Sequence, residues 1–383
     1  MPTTFDPADP ALVADPYPLY DRLRAEDPVH WSDRMGAWVL TRYDDVAFAL
    51  TDARFSAAER PPQRRAGRPT MMVTADPPGH TRLRRVAQPR FVAREIAALR
   101  PRVERIVAEL LDAVAPAGRM DVVWDLSYPL PVTMIAEILG LPLEDRERLK
   151  RWSDAGVSGV AGRFSRPDGG MAGGGELVPY FQHAIDDRRR APRDDLISDL
   201  VAASQRGEID GDELLDTTII LLTAGNETTT SLIAGAVLAL LRHPGQLDRI
   251  RSDPSLIATA VEEFLRYEPP VPAVTRRAKE HVEIAGRAIE AGQTVVCAIA
   301  AANRDPARFD RPNDFDIARD PNPHIAFGAG IHACIGAPLA RLETEVAVAA
   351  LVARFPTLRL ATDAPQWAGN VILRGLRALP VAW

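Results

Sequence analysis

The sequence predicts a mainly α fold with a minor β-rich part, organised as a single large domain over residues 1–383. Apolar residues recur at helical spacing through most of the chain. One segment, Thr217 to Ala239, is almost wholly apolar, small or hydroxylic, which predicts a helix buried on all sides. The strand-like runs are short, and no repeat or separating linker divides the chain. At roughly 150 residues per domain, length alone would suggest two or three domains. The absence of a linker favours one.

In chain order, Tyr17 to Glu26 reads as a short helix, Ala37 to Thr41 as a strand and Asp44 to Leu50 as helix again. Residues 57–72 are polar, arginine-rich and proline-broken, so a loop or a mobile short helix is expected. Thr81 to Val114 is helical in spacing, with interruptions expected at Pro89 and Pro101. Pro129 to Leu139 and Glu144 to Asp154 give two more helices. Residues 156–175 hold eight glycines and read as a flexible connector. Helices resume at Leu177–Arg190 and Asp194–Ser204. The buried helix is expected over 212–241, capped by Asp212 and stopped by His243-Pro244-Gly245. A helix from about Ser255 to Tyr267 ends at the prolines 269, 270 and 272. Strands come next at Val282–Ile284 and Thr294–Ile299, then irregular chain over 302–335, a helix from Pro338 to Phe355, and strand-like runs at 357–361 and 370–383.

Composition narrows the function classes. With 46% apolar and 26% charged residues, the chain can bury a large core and does not read as disordered. The net charge of −6 argues against a nucleic-acid binder. Only Cys297 and Cys334 are present, which excludes a disulfide scaffold and a cysteine-rich zinc site. Met1 to Asp15 is acidic and proline-broken, unlike a signal peptide. No run approaches the roughly 18 apolar residues of a membrane helix. A cytoplasmic, monomeric protein that engages neither nucleic acid nor membrane is expected.

The most specific segment is Phe327-Gly-Ala-Gly-Ile-His-Ala-Cys334-Ile-Gly-Ala-Pro-Leu-Ala-Arg341. Gly328 and Gly330 let the backbone turn sharply, and Gly336 removes a side chain beside the cysteine. Pro338 suits the first turn of the next helix. Cys334 therefore sits near a helix N-terminus, where N–H groups and the dipole favour a thiolate. A lone cysteine is usually a small buried hydrophobe. Its glycine, histidine and helix-start setting points instead to an axial iron ligand.

This pattern, Phe-Gly-x-Gly-x-His-x-Cys-x-Gly-x-x-Leu-Ala, resembles the heme-binding loop of the cytochrome P-450 family in its soluble bacterial branch. The resemblance implies the cytochrome P-450 fold, heme b as cofactor and dioxygen as co-substrate. It implies Cys334 as the thiolate ligand of iron, His332 as a partner of a heme propionate, and Phe327, Gly328 and Gly336 as the cofactor-binding frame.

Within the buried helix, Asn226 to Ser231 put six polar residues in an apolar setting, at a cost unless they are satisfied or used. Ala224 and Gly225 leave room for a flat or small group. A mid-helix threonine can bond back to the carbonyl four residues earlier. For Thr229, Thr230 and Ser231 that local satisfaction is the expected role. Glu227 and Thr228 resemble the family's distal acid–alcohol pair, which implies proton delivery during dioxygen activation. Asn226 departs from the family pattern; facing the pocket is one reading, and its role is open.

Glu263-Phe-Leu-Arg266 is uninformative alone, since surface helices carry many such pairs. About 70 residues before the cysteine loop, it resembles the family's structural ion pair. In many relatives a third member, an arginine, comes from the stretch matching Phe309–Asp316; Asp314 stands at its position here, which leaves Arg311 as a substitute or the group as only a pair. His80 and Arg84 share a helix face and alone read as solvated charges. The family's Gly-His-x-x-x-Arg pattern implies that both bind heme propionates, with Arg276, or its neighbour Arg277, as a third partner.

By resemblance, the substrate pocket draws on 57–75, 156–182, Ile220 to Thr223, Val271 to Val274 and Val371 to Leu373. Met71, Met72, Val73, Leu222, Val274 and Ile372 favour a largely hydrophobic substrate, free or bound to a carrier protein. Arg64, Arg65 and Arg68 read as solvated, with steering of an acidic group as the minority reading. The chain shows no flavin or nicotinamide domain, so a ferredoxin and its reductase are the expected electron source. Arg82, Arg85, Arg90 and Arg94 are expected to form a basic patch for that donor. The expected activity is monooxygenation of a natural-product intermediate. A peroxide-driven oxygenase and a catalytically silent scaffold or heme sensor are the alternatives.

Overall fold

A computed structural model describes residues 5–6, 9–58, 71–145, 148–149, 152, 176–362, 364–369 and 373–383. Helices α1 (Pro10–Ala14) and α2 (Tyr17–Glu26) lead to the hairpin β1 (Val29–Ser32) and β2 (Ala37–Leu40), then to α3 (Tyr43–Thr51) and β3 (Phe55–Ser56). The helical body continues as α4 (Gly79–Ala87), α5 (Ala93–Ala98), α6 (Arg100–Val114), β4 (Arg119–Asp121) and α7 (Pro129–Leu139). Next come α8 (Leu177–Arg190), α9 (Leu196–Gln205), α10 (Gly211–Arg242), α11 (Pro244–Ser252) and α12 (Ile257–Tyr267). Strands β5 (Val274–Ala278), β6 (Val282–Ile284), β7 (Arg287–Ile289) and β8 (Thr294–Cys297) precede α13 (Ile299–Ala302). The remainder is an irregular stretch, α14 (Ala337–Arg354), β9 (Arg359–Leu360), β10 (Trp367–Gly369), β11 (Arg374–Leu376) and β12 (Pro380–Ala382). The mainly α expectation holds.

The 32 residues of α10 make a rod roughly 48 Å long through the helical body. It packs against α7, α14 and β11. Its polar N-terminus is fixed by a capping box, in which Asp210 accepts from Glu213 N and Glu213 accepts from Asp210 N. The cap is therefore Asp210, not Asp212. At the other end, Pro244 stops α10 but also occupies the first turn of α11, a helix that the stop signal concealed. Pro101 likewise opens α6 instead of interrupting it. Around Pro89 the chain takes a 3-10 turn, Gln88–Phe91. The helix expected over Glu144–Asp154 begins as a 3-10 turn at Leu143–Asp145, and most of its remaining length lies outside the described residues. The glycine-rich connector also lies outside them.

The largest sheet has the order β1-β2-β8-β5-β3. In it, β8 runs parallel to β2 and antiparallel to β5, so Cys297 pairs with Leu40 on one side and Val274 on the other. Cys297 is fully buried, as expected of a packing residue, and burial pushes its thiol up to about 12. A three-stranded sheet, β4-β12-β9, ties the chain's last segment to the helical body. Gly375 on β11 passes so close to α10 that a Cβ there would collide with Ser231 Oγ. Apolar side chains of α4 to α12 and α14 form one continuous core, and smaller clusters lie beneath the sheet and the N-terminal helices. Among the described residues, no helix is long and apolar enough to cross a membrane.

Candidate active site

A cavity of about 340 Å³ lies between α10 and the loop that precedes α14. His80 and Arg84 reach it from α4, Ala224, Gly225 and Thr228 from α10, and Arg276 from β5. Phe327, Gly328, His332, Cys334 and Gly336 reach it from the loop. The sequence thus distributes one site over four distant segments. Glu227 is half-buried next to Thr228 and does not line the cavity.

The loop is held mainly by its backbone. Gly328 and Gly330 adopt φ of 71° and 68°, a region that ordinary side chains disfavour. Gly330 also lies tight against α3, where an added Cβ would stand 3.2 Å from Leu50 O. The Cys334 N–H donates to Phe327 O at 2.8 Å. Cys334 is exposed, but toward the cavity. Burial within the protein raises its pKa, while hydrogen bonds from the N–H groups of Gly336 and Ala337 and the nearby Arg84 and Arg341 oppose the rise. The helix start therefore favours the thiolate as expected, but burial prevails. A stable thiolate here calls for a cation on the cavity side.

Four basic side chains surround the cavity, and no carboxylate among the described residues lines it. His80 and His332 lie against each other with ring centroids 4.2 Å apart and planes tilted by 54°. His80 Nδ1 and His332 Nε2 are buried without a hydrogen-bond partner. Burial, with the charges of His80 and Arg276, holds His332 down to about 4, and burial also lowers His80. Arg84 Nη1 donates to Ile331 O and to Ala333 O, at 3.1 and 2.7 Å. Arg276 lines the cavity and burial lowers its pKa, whereas Arg277 donates to Gly292 O elsewhere. Arg276 is thus the better placed of the two. Orphaned imidazole nitrogens beside half-buried guanidinium groups suit a ligand bearing carboxylates.

On α10, Thr228 Oγ1 donates to Ala224 O at 2.9 Å, the expected back-bond. Thr229 Oγ1 donates to Gly225 O at 3.2 Å, and Thr230 Oγ1 to Asn226 Oδ1 at 3.4 Å. Asn226 is fully buried and does not face the cavity. The apolar part of the cavity wall includes Met72, Val73, Ile220, Leu221, Val271 and Val274. Leu222 is instead buried in the core, and Met71 does not line the cavity. Sequence reading missed Leu50, Phe91 and Ile135, which reach the wall from segments with no motif, and Leu265, which reaches it from between Glu263 and Arg266. Arg64, Arg65, Arg68, Val371 and Ile372 lie outside the described residues.

Two further expectations are corrected. Glu263 and Arg266 form a fully buried pair at 2.7 and 2.8 Å, but their third member is Arg319, 3.2 Å from Glu263 Oε2. Arg311 stays exposed beside Asp310 and Asp314, and Asp314 contributes only its carbonyl to Arg266 and Arg319. Nor do the arginines after His80 form a free basic patch. Arg82 pairs with Glu213, Arg85 approaches Glu208, Arg90 binds Asp194 and Asp199, and Arg94 approaches Glu95.

The model of the cytochrome P450 family matches residues 176–366. The chain is 43% identical to the cytochrome P450 monooxygenase PikC of Streptomyces venezuelae, over 97% of this chain and 92% of the relative. It is 40% identical to 6-deoxyerythronolide B hydroxylase of Saccharopolyspora erythraea, over 100% and 99% of the two chains. The crystal structure of P450BioI with an acyl carrier protein ligated to hexadec-9Z-enoic acid superposes with a TM-score of 0.91 at 37% identity, covering 98% of this chain and 100% of that one. The Bacillus subtilis bacillaene polyketide synthase cytochrome P450 PksS gives 0.92 at 38%, covering 99% of each.

The chain belongs to the cytochrome P450 family. Within it, the relatives and the fold define a heme-iron monooxygenase that uses dioxygen. The cavity fits such a group: a single sulfur, a small-residue wall at Ala224 and Gly225, and carboxylate-seeking groups at the rim.

Proposed function

We propose that the chain is a ferredoxin-dependent monooxygenase that hydroxylates or epoxidises a largely hydrophobic natural-product intermediate. One observation carries the reading: Cys334, His80, His332, Arg84 and Arg276 converge on one cavity that no carboxylate among the described residues lines. In this reading Cys334 ligates the iron of heme b, and the four basic residues receive the propionates. The bound heme supplies reductive activation of dioxygen and transfer of one oxygen atom to substrate, the other leaving as water.

The protein's own groups do the rest. The N–H groups of Gly336 and Ala337 hold the sulfur and moderate its charge. Ala224 and Gly225 keep side chains clear of the opposite wall. The Thr228 hydroxyl bonds Ala224 O and can turn toward the cavity to pass a proton, with Glu227 as the adjacent acid. The apolar wall excludes water and favours an apolar substrate. Two electrons come from an external donor, for which a ferredoxin with its reductase suits a bacterial member. Since the expected basic patch is internally paired, the choice of ferredoxin rests on the family alone.

The polyketide synthase cytochrome P450 PksS and 6-deoxyerythronolide B hydroxylase support the natural-product reading, and the P450BioI complex supports a carrier-bound substrate as an option. The proposal includes a single heme domain over residues 1–383, monomeric and cytoplasmic. Turnover with ferredoxin, reductase and isotopically labelled dioxygen tests it on substrates chosen by heme spin-state shift. One labelled oxygen atom per product molecule is expected. Turnover that requires hydrogen peroxide and ignores the reductase would contradict it.

A further inference from the structure

The helix α12 carries two adjacent glutamates that serve different parts of the molecule. Glu263 completes the buried pair with Arg266. Glu262 turns to the cysteine loop instead. Its carboxylate accepts from Arg341 Nε at 2.6 Å and from Arg341 Nη2 at 2.9 Å, a bidentate fork. The same carboxylate meets His324 Nε2 at 2.9 Å. His324 Nδ1 accepts the Ala326 N–H at 3.2 Å, so Nε2 carries the proton and donates to Glu262.

The placement of these residues is what matters. His324 lies just before the loop, and Arg341 lies in the helix that leaves it, one turn past the start of α14. A single carboxylate therefore bridges the chain on both sides of Cys334. The Arg341 guanidinium also covers the Phe327 ring, 4.6 Å from its centroid. The Phe327 carbonyl in turn accepts the Cys334 N–H. The two arginine bonds and the histidine bond hold the Glu262 carboxylate down at about 2 despite its burial. Moving the cysteine outward would break charge-assisted bonds at both ends of the loop.

We propose that Glu262, Arg341 and His324 are positioning residues that clamp the Cys334 loop and thereby set the strength and permanence of sulfur ligation. This rests on Cys334 being the heme ligand. Two readouts go beyond folding. One is the rate at which the reduced, carbon-monoxide-bound holoenzyme loses its thiolate-type Soret band under mild urea. The other is the heme reduction potential.

Glu262→Gln keeps the shape but removes the charge, and a roughly tenfold faster loss of the band is expected, with a shifted potential. Arg341→Lys keeps the charge but loses the fork and the ring contact, and a smaller change in the same direction is expected. The exchange Glu262→Arg with Arg341→Glu should recover part of the lost ligation stability. Wild-type decay and potential in both single variants would overturn the clamp. So would a lowered melting temperature with unaltered decay of the folded fraction, since that marks a merely structural pair. Absence of the band in the wild type would instead overturn the ligand assignment itself.

Discussion

Cys334 and Thr228 face the same cavity from walls that are held in opposite ways. The cysteine wall is a loop in which almost every degree of freedom is taken. Glycine φ angles, the Cys334 N–H bond to Phe327, close packing on α3 and the Glu262 bridge all act on one short segment. The α10 wall is a regular helix whose hydroxyls bond carbonyls of their own turn. Such bonds exchange at little cost, because Thr228 can leave Ala224 O for another partner. Placing one sulfur atom calls for redundancy, whereas passing protons and admitting substrates calls for groups that can let go.

The largest expected effect lies behind the cysteine wall. Glu263→Gln leaves Arg266 charged at zero exposure, so a loss of about 3–5 kcal/mol is expected in urea unfolding. Arg311→Ala, by contrast, should stay within about 0.5 kcal/mol, because Arg319 and not Arg311 completes the group. A comparable loss from Arg311→Ala would show that Arg319 is not the third member.

On the α10 wall the expected effect is on chemistry more than stability. Thr228→Ala removes one back-bond and should change stability by about 1 kcal/mol or less. Its electron use should uncouple from product, with peroxide released in place of oxidised substrate. Tightly coupled turnover in that variant would erase the difference drawn between the walls.

The effect that depends most on pH concerns α14, the helix that leaves the cysteine wall. Arg341 on it is fully engaged, but Glu343, two residues on, is buried with neither oxygen hydrogen-bonded. Burial raises its pKa well above the usual 4.5. A carboxyl raised on folding is no burden while protonated in both states, and it costs stability as pH rises above about 4.5 toward the folded value. Glu343→Gln should therefore gain melting temperature relative to the wild type as pH rises from about 5 to about 8. A gap that stays constant or shrinks would indicate that the carboxyl is ionised and paired.

Legibility in the sequence divides along the same line. The cysteine loop could be read because each of its residue types answers a backbone demand: glycine for a turn or a close approach, proline for a helix start. The back-bond of Thr228 could be read because it is local to one helix turn. Pairings made across the fold could not. Arg319 reaches Glu263 over 56 positions and Arg341 reaches Glu262 over 79, with no periodicity to announce either. Glu262 was hidden further by standing beside the residue that a motif had singled out. Arg82 and Arg90 looked like part of a free patch because their acidic partners lie at the start of α10 and on α9. Helix α11 was masked because Pro244 both ends one helix and begins the next.

The central claim is that Cys334, and not Cys297, ligates a heme in the cavity between α10 and the cysteine loop. The absorption spectrum of the reduced, carbon-monoxide-bound protein tests it most directly. A thiolate-type Soret band is predicted in the wild type, retained in Cys297→Ala and absent in Cys334→Ala. A wild-type spectrum without that band, or its survival in Cys334→Ala, would contradict the claim.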